Sequence, residues 1–148
     1  MDPISACAAA IGAVSQAIDI GFTIYTLIDG IKSMPDNVRR LGVEMRGLYQ
    51  VLTLLAGSLE AQKSKARDEG FPVHMVNNIK ELVDNCTGVF YEIKVVVKPY
   101  MENEKSVMKQ WKKGLKWVVI KEDTVLTLQR ALGNNKLTLE LAISTLNL

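Results

Sequence analysis

The sequence predicts an all-α fold, and three observations lead to that prediction. Apolar residues recur every three or four positions along most of the 148 residues, which is the spacing of one face of a helix. Strand-type alternation is nearly absent, and the chain contains only four prolines. Charged residues make up 23% and hydrophobic residues 48% of the chain, as in a soluble domain. We therefore expect a single domain over residues 1–148, an elongated antiparallel four-helix bundle with a short amphipathic helix before the last long helix.

The first predicted helix runs from Pro3 to Ile31, and its first half is strongly apolar. No charged side chain occurs from Pro3 to Ile18. A small residue occupies every fourth position, and such a stripe lets another helix approach closely. The members of this small-residue stripe are Ala9, Ala13, Ala17 and Gly21. Larger apolar residues are predicted to form another face, at Ile4, Cys7, Ile11, Val14, Ile18, Tyr25 and Ile28.

Three further segments repeat the same apolar spacing after the turn at residues 32–35. The second helix carries Val38, Leu41, Met45, Leu48, Leu52, Leu55 and Leu59. A polar loop over residues 62–70 separates it from the third helix, which carries Val76, Ile79, Val83, Cys86, Phe90, Ile93 and Val97. Pro99 is expected to end the third helix, because proline lacks the backbone N–H. The fourth runs from Lys121 to Leu146, and its apolar row continues in register through Gly133-Asn134-Asn135, which favours one continuous helix.

A basic segment lies between the third and fourth predicted helices. The segment from Lys105 to Lys121 holds six lysines and no acid. At 100° per residue the first five lysines share one side, opposite an apolar side, so the segment is predicted to be the short amphipathic helix. One interpretation is a solvated surface. The other is contact with an anionic membrane leaflet, worth up to about 1 kcal/mol per lysine. The candidate contact residues are Lys109, Lys112, Lys113 and Lys116.

The sequence offers no catalytic, metal-binding or nucleic-acid-binding pattern. Its only histidine, His74, is expected at the surface. There is no phosphate-binding glycine loop, no metal-ligand spacing and no recognisable nucleic-acid module. We therefore predict a protein that is not an enzyme, uses no cofactor and does not bind nucleic acid. Cys7 and Cys86 both fall on apolar helical faces, so we predict buried thiols in a reducing, cytoplasmic environment.

The environment of the first helix is the main functional question. Its uncharged stretch would span about 24 Å, less than the ~30 Å hydrocarbon core of a bilayer. Extending the span to Ile28 adds Asp19, which costs about 3 kcal/mol near the bilayer centre and nearly cancels the gain from the apolar residues. We expect a helix that is buried at rest and inserts after release and self-association, with Asp19 facing a polar lumen. The insertion candidates are Ile4, Ile11, Val14, Ile18, Asp19 and Phe22.

Several short motifs resemble those of a known family. They are Met1-Asp2-Pro3-Ile4-Ser5-Ala6, Ile24-Tyr25, residues 31–38, residues 48–59, residues 111–119 and residues 136–142. Together they resemble the HeLo-like N-terminal domains of fungal STAND or NACHT (NLR-like) proteins. The resemblance covers essentially the whole chain.

The resemblance implies a membrane-targeting effector domain that executes programmed cell death in fungal heterokaryon incompatibility or immunity. It implies a homo-oligomer whose N-terminal helix, here Ile4 to Phe22, permeabilises the plasma membrane. Anionic lipids and an upstream or fused signalling ATPase would be the partners, and the resting domain would be cytoplasmic. Asp19 is a single acid where some members carry an acidic ring. The alternative is a non-lytic helical adaptor or dimerisation domain that docks a signalling partner.

Overall fold

The computed structural model describes residues 2–67, 70–102 and 122–148. Over these residues the chain forms four α-helices and no strand: α1 (Pro3–Gly30), α2 (Asp36–Lys63), α3 (Val73–Glu102) and α4 (Glu122–Leu146). The all-α prediction is confirmed for this part of the chain. The predicted short amphipathic helix and its lysines lie outside the described residues.

The four helices pack as a bundle in which each helix has two main neighbours. α1 packs against α2 and α3, and α4 packs against the same two helices. Every member of the predicted apolar rows of α2 and α3 is buried. In the α4 row five members, Val125, Leu128, Leu132, Leu139 and Leu146, are buried, whereas Asn135 and Ala142 are half-buried. These rows form one continuous hydrophobic core.

Contacts between helices fix two of their relative directions. Ile28 of α1 lies against Gly42 of α2, whereas Phe22, earlier in α1, contacts Tyr49, later in α2. α1 and α2 therefore run in opposite directions. α2 and α4 run in the same direction. Gly47 lies near Lys136, and further along both helices the Gln62 side chain donates a hydrogen bond of 2.8 Å to the Leu146 carbonyl. Both relations fit a chain that reverses direction between successive helices.

Side chains bind backbone groups at the start of α1 and in the turn that follows it. At its start the Asp2 carboxylate accepts hydrogen bonds from the backbone N–H of Ser5 at 2.9 Å and from its hydroxyl at 2.7 Å. These bonds cap the helix and lower the pKa of Asp2 below its usual 3.8. At its end the last turn of α1 has no basic residue, and Arg39 of α2 supplies the missing donors to carbonyls that follow the helix.

The end of α3 differs from the sequence prediction. Pro99 lies inside the helix, which continues to Glu102. Proline cannot donate to the carbonyl of Val95, four residues earlier. Val95 is 71% exposed, so water can reach that part of the helix and replace the missing donor. α4 continues without a break through Gly133, as predicted.

Candidate membrane-active helix

The buried residues of α1 form a single row with strongly uneven side-chain size. This row, the core seam, consists of Ala6, Cys7, Ala10, Val14, Ala17, Gly21, Ile24 and Ile28. Up to Gly21 its largest member is a valine, and after Gly21 it contains only isoleucine. Within the core seam, small side chains therefore line the first half of α1 and larger ones the second half, while Ile11 and Ile18 pack partly buried beside the seam.

The small-residue stripe lies partly inside the domain. Ala17 and Gly21 are buried, whereas Ala9 and Ala13 are half-buried. A Cβ atom added to Gly21 would lie 2.8 Å from Cε2 of Phe90 in α3, closer than packing allows. The absence of a side chain at Gly21 is thus explained by close packing between α1 and α3. The role of the stripe in self-association stays a prediction.

The six insertion candidates occupy different environments. Val14 is buried in the core, and Ile11 and Ile18 are partly buried against it. Ile4, Asp19 and Phe22 are exposed, Phe22 at 52%. In this structure the six residues therefore do not share one surface.

The solvent-exposed side of α1, which we call the outer face, lacks charge over its first half. From Pro3 to Ile18 its exposed residues are Ile4, Ser5, Ala8, Gly12, Ser15 and Gln16. Surface helices of soluble domains usually carry charged residues on this side. Over the described residues α1 is also the one helix that is long and apolar enough to cross a membrane. Core helices of soluble proteins share that property, and a third of the apolar stretch is buried in the bundle.

An aromatic cluster joins the second half of α1 to α2. The Phe22 and Tyr49 rings meet edge to face with centroids 5.8 Å apart, and Tyr25 lies 6.0 Å from Tyr49. The Arg46 guanidinium lies 6.0 Å from the centre of the Tyr25 ring, within reach of a cation–π interaction. Sequence reasoning missed this cluster, because the pairing of Tyr49 with α1 depends on the relative positions of the two helices.

The remaining residues singled out from the sequence are His74 and four lysines. His74 is exposed, as predicted. Lys109, Lys112, Lys113 and Lys116 lie outside the described residues. In the part of the chain that the structure describes, no three acidic, His or Cys side chains come together as a possible metal site.

Comparison with known proteins identifies the family. Residues 1–148, the whole chain, match the family model described as pigment biosynthesis cluster protein PigL N-terminal. The chain belongs to this family. PigL N-terminal domains are fungal pigment-cluster domains, which is consistent with a HeLo-like fungal domain without being specific to one. No curated protein and no solved structure matches the chain.

Both thiols of this PigL N-terminal domain lie in the core. Burial raises the pKa of Cys7 above its usual 9.0 and raises that of Cys86 to about 12. We expect the domain to lose stability as the pH rises above about 9, because the unfolded thiols then ionise while the folded ones stay neutral. Urea unfolding midpoints between pH 7 and pH 11 measure this loss. The Cys86→Ala variant should lose less stability than the parent over that pH range. An equal loss of stability in both proteins would show that ionisation of Cys86 does not cause it.

Gly21→Leu is expected to destabilise the PigL N-terminal domain even without a membrane. A leucine at this position would collide with the Phe90 ring, since even a Cβ would be only 2.8 Å away. Overpacking of this kind costs about 1–3 kcal/mol, measurable by urea unfolding. Gly88→Leu is the matched control, because Gly88 is an exposed glycine of α3 with nothing within 4 Å of a Cβ. Equal unfolding midpoints for the two variants would show that α1 and α3 do not pack closely here.

Proposed function

We propose that this domain is a membrane-targeting, cell-death-inducing effector of fungal incompatibility or innate immunity, and that α1 inserts in the membrane after oligomerisation. The observation that carries the proposal is the uncharged outer face of α1 over residues 3–18. Since its core seam there is also uncharged, the first half of the helix has no side that must stay in water.

The span that fits this helix best is residues 3–22. At 1.5 Å per residue it measures about 30 Å, the thickness of the hydrocarbon core. Gly12 then lies near the bilayer centre and Asp19 about 10 Å from it, near one interface. The cost of the Asp19 carboxylate is therefore below the roughly 3 kcal/mol of a central position. Phe22 and Tyr25 would reach the interface, where aromatic residues are favoured.

The free-energy cost of releasing α1 gives a reason why insertion would require oligomerisation. α1 covers parts of α2 and α3, including the Phe90 ring. When α1 leaves, these large apolar side chains meet water at about 25 cal/mol per Å² of exposed area. A single domain therefore favours the closed state, and other copies can offset the cost by covering the exposed surface. The resting domain would be cytoplasmic and the active one at the plasma membrane, where the lysines of the proposed short amphipathic helix would contact anionic lipids.

Vesicle leakage tests the proposal. The full chain, fused to an inducible dimeriser, is added to vesicles with anionic lipids that contain a fluorescent dye. We expect dye release only after dimerisation, and loss of viability when the same fusion is induced in a fungal host. Intact vesicles and viable cells with a fully multimerised, folded domain would overturn the membrane function.

A non-lytic adaptor is the alternative, and exposed leucines of α4 favour it. Leu137 and Leu141 lie one turn apart on α4 and are 62% and 69% exposed. Apolar residues grouped on a surface are typical of protein interaction sites. An adaptor would signal without dye release, and Leu137→Ser with Leu141→Ser would abolish its signalling. The same pair of changes should leave leakage by an effector intact.

A further inference from the structure

We propose that α1 is hinged at Gly21, so that residues 3–18 leave the bundle while residues 22–30 stay attached to α2. The attachment, which we call the latch, consists of Phe22, Tyr25, Tyr49, Arg46 and Arg39. The hinge is a property of the closed bundle. Only its consequence in a membrane rests on the proposed function.

The first observation is the distribution of close contacts along α1. Both of the tight glycine contacts involving this helix lie in its second half. A Cβ at Gly21 would be 2.8 Å from Phe90, and one at Gly42 of α2 would be 3.0 Å from Cγ2 of Ile28. Before Gly21 the core seam offers only small side chains, and at Gly12 nothing lies within 4 Å of a Cβ. Ile11 and Ile18 add partly buried contacts beside the seam, but the first half of α1 has no glycine contact as close as those of the second half.

The second observation is the ring cluster, which begins directly after Gly21. Phe22 and Tyr25 of α1 both contact Tyr49 of α2, and Arg46 approaches the Tyr25 ring. Aromatic pairs in this geometry stabilise a contact beyond the area that they bury. The cluster therefore attaches α1 to α2 at residues 22–25 and leaves the earlier residues without a comparable contact.

The third observation is the arginine that closes the turn after α1. The Arg39 side chain donates to the carbonyls of Ile31 at 2.6 Å, Lys32 at 3.1 Å and Met34 at 3.3 Å. Hydrogen bonds from a charged group are stronger than neutral ones. Arg39 thus fixes the turn that directly follows α1 to the start of α2 and completes the latch.

The latch would determine how much of α1 can insert. With residues 22–30 attached to α2, the released segment ends at Gly21, one residue before the end of the span proposed above. Asp19 is then kept close to the interface, and α2 to α4 stay bound to the membrane surface through the attached half. Glycine is the residue at which a helix bends most readily, because it has the weakest helical preference short of proline.

Hydrogen exchange of the unmodified full chain in water tests the hinge. A released half-helix is too short to stay helical in water, so its amides exchange. We expect amides of residues 7–18 to exchange at least 10-fold faster than those of residues 24–30. Equal rates over both ranges would show that α1 moves as one piece and would overturn the hinge.

Variants of the latch extend the test. Tyr49→Ala should raise the exchange rate of residues 24–30 at least 10-fold, whereas Tyr49→Phe should keep the parent rate because it retains the ring. Tyr91→Ala, a truncation on the exposed side of α3, is the matched control and should change neither half. An unchanged rate at residues 24–30 in a folded Tyr49→Ala variant would overturn the latch.

Vesicle leakage separates the hinge from the proposed function. If both hold, the Tyr49→Ala fusion releases dye at a lower degree of dimerisation than the Tyr49→Phe fusion. Two exchange rates without any leakage would leave the hinge in place and contradict the membrane function. Leakage with the same exchange rate in both halves of α1 would support the membrane function and contradict the hinge.

Discussion

Gly12→Lys is expected to abolish dye release by the dimerised domain while leaving the bundle folded. Gly12 is exposed on the outer face of α1, and nothing lies within 4 Å of a Cβ at this position. Lysine is a better helix former than glycine by up to about 1 kcal/mol, so the closed domain should be slightly stabilised. The lysine side chain would extend into solvent without displacing a neighbour.

In a bilayer the same substitution is expected to be unfavourable. In a span over residues 3–22, position 12 lies at the centre, where lysine costs about 2.5–3.5 kcal/mol. That cost lowers the insertion equilibrium of each helix about 100-fold. Several helices must insert together in an oligomer, so the loss of leakage should be complete at concentrations where the parent is active.

Gly57→Lys provides the matched control for Gly12→Lys. Gly57 is also an exposed glycine with no atom within 4 Å of a Cβ, but it lies in α2. Both variants gain one positive charge, so any change in attraction to anionic vesicles is shared. Dye release and thermal unfolding are measured for both. Normal leakage by Gly12→Lys would show that the centre of α1 does not enter the bilayer.

The apolar spacing predicted the helices and most of the core correctly, because in α2 and α3 it leaves one choice of buried face. In α2 every leucine except the exposed Leu54 stands on the buried side, and Arg40 and Glu44 mark the exposed side. The charge pattern of these helices thus determines which of their faces is buried.

In α1 the apolar spacing does not determine which face is buried. Because its first half has no charged residue, two adjacent rows are almost equally apolar, and spacing does not select between them. The sequence-based face contained Ile4, Ile11 and Ile18, whereas the buried row contains Ala10 and Ala17 instead. Size complementarity with α3 decides the orientation, since a small seam admits close packing. The latch is equally invisible in the sequence, because Arg39 and Tyr49 act on residues of another helix.

Phe90→Ala is expected to destabilise this domain strongly, far more than truncation of an exposed ring. Phe90 is fully buried and its ring packs directly on Gly21. Truncating a buried phenylalanine costs about 3–5 kcal/mol, a large part of the 5–15 kcal/mol that typically stabilises a domain. Urea unfolding measures the effect. Tyr91→Ala, at the next residue and 47% exposed, is the control and should cost much less.

A double-mutant cycle then tests the contact itself. Gly21→Ala should destabilise the parent, because its Cβ would lie 2.8 Å from Cε2 of Phe90. In the Phe90→Ala background that obstacle is gone, and the better helix propensity of alanine should stabilise the domain by up to about 1 kcal/mol. The same substitution thus changes sign between the two backgrounds, which only residues in contact produce. An equal effect in both would mean that α1 does not lie on Phe90, and the outer face from which the membrane function is argued would have to be reassigned.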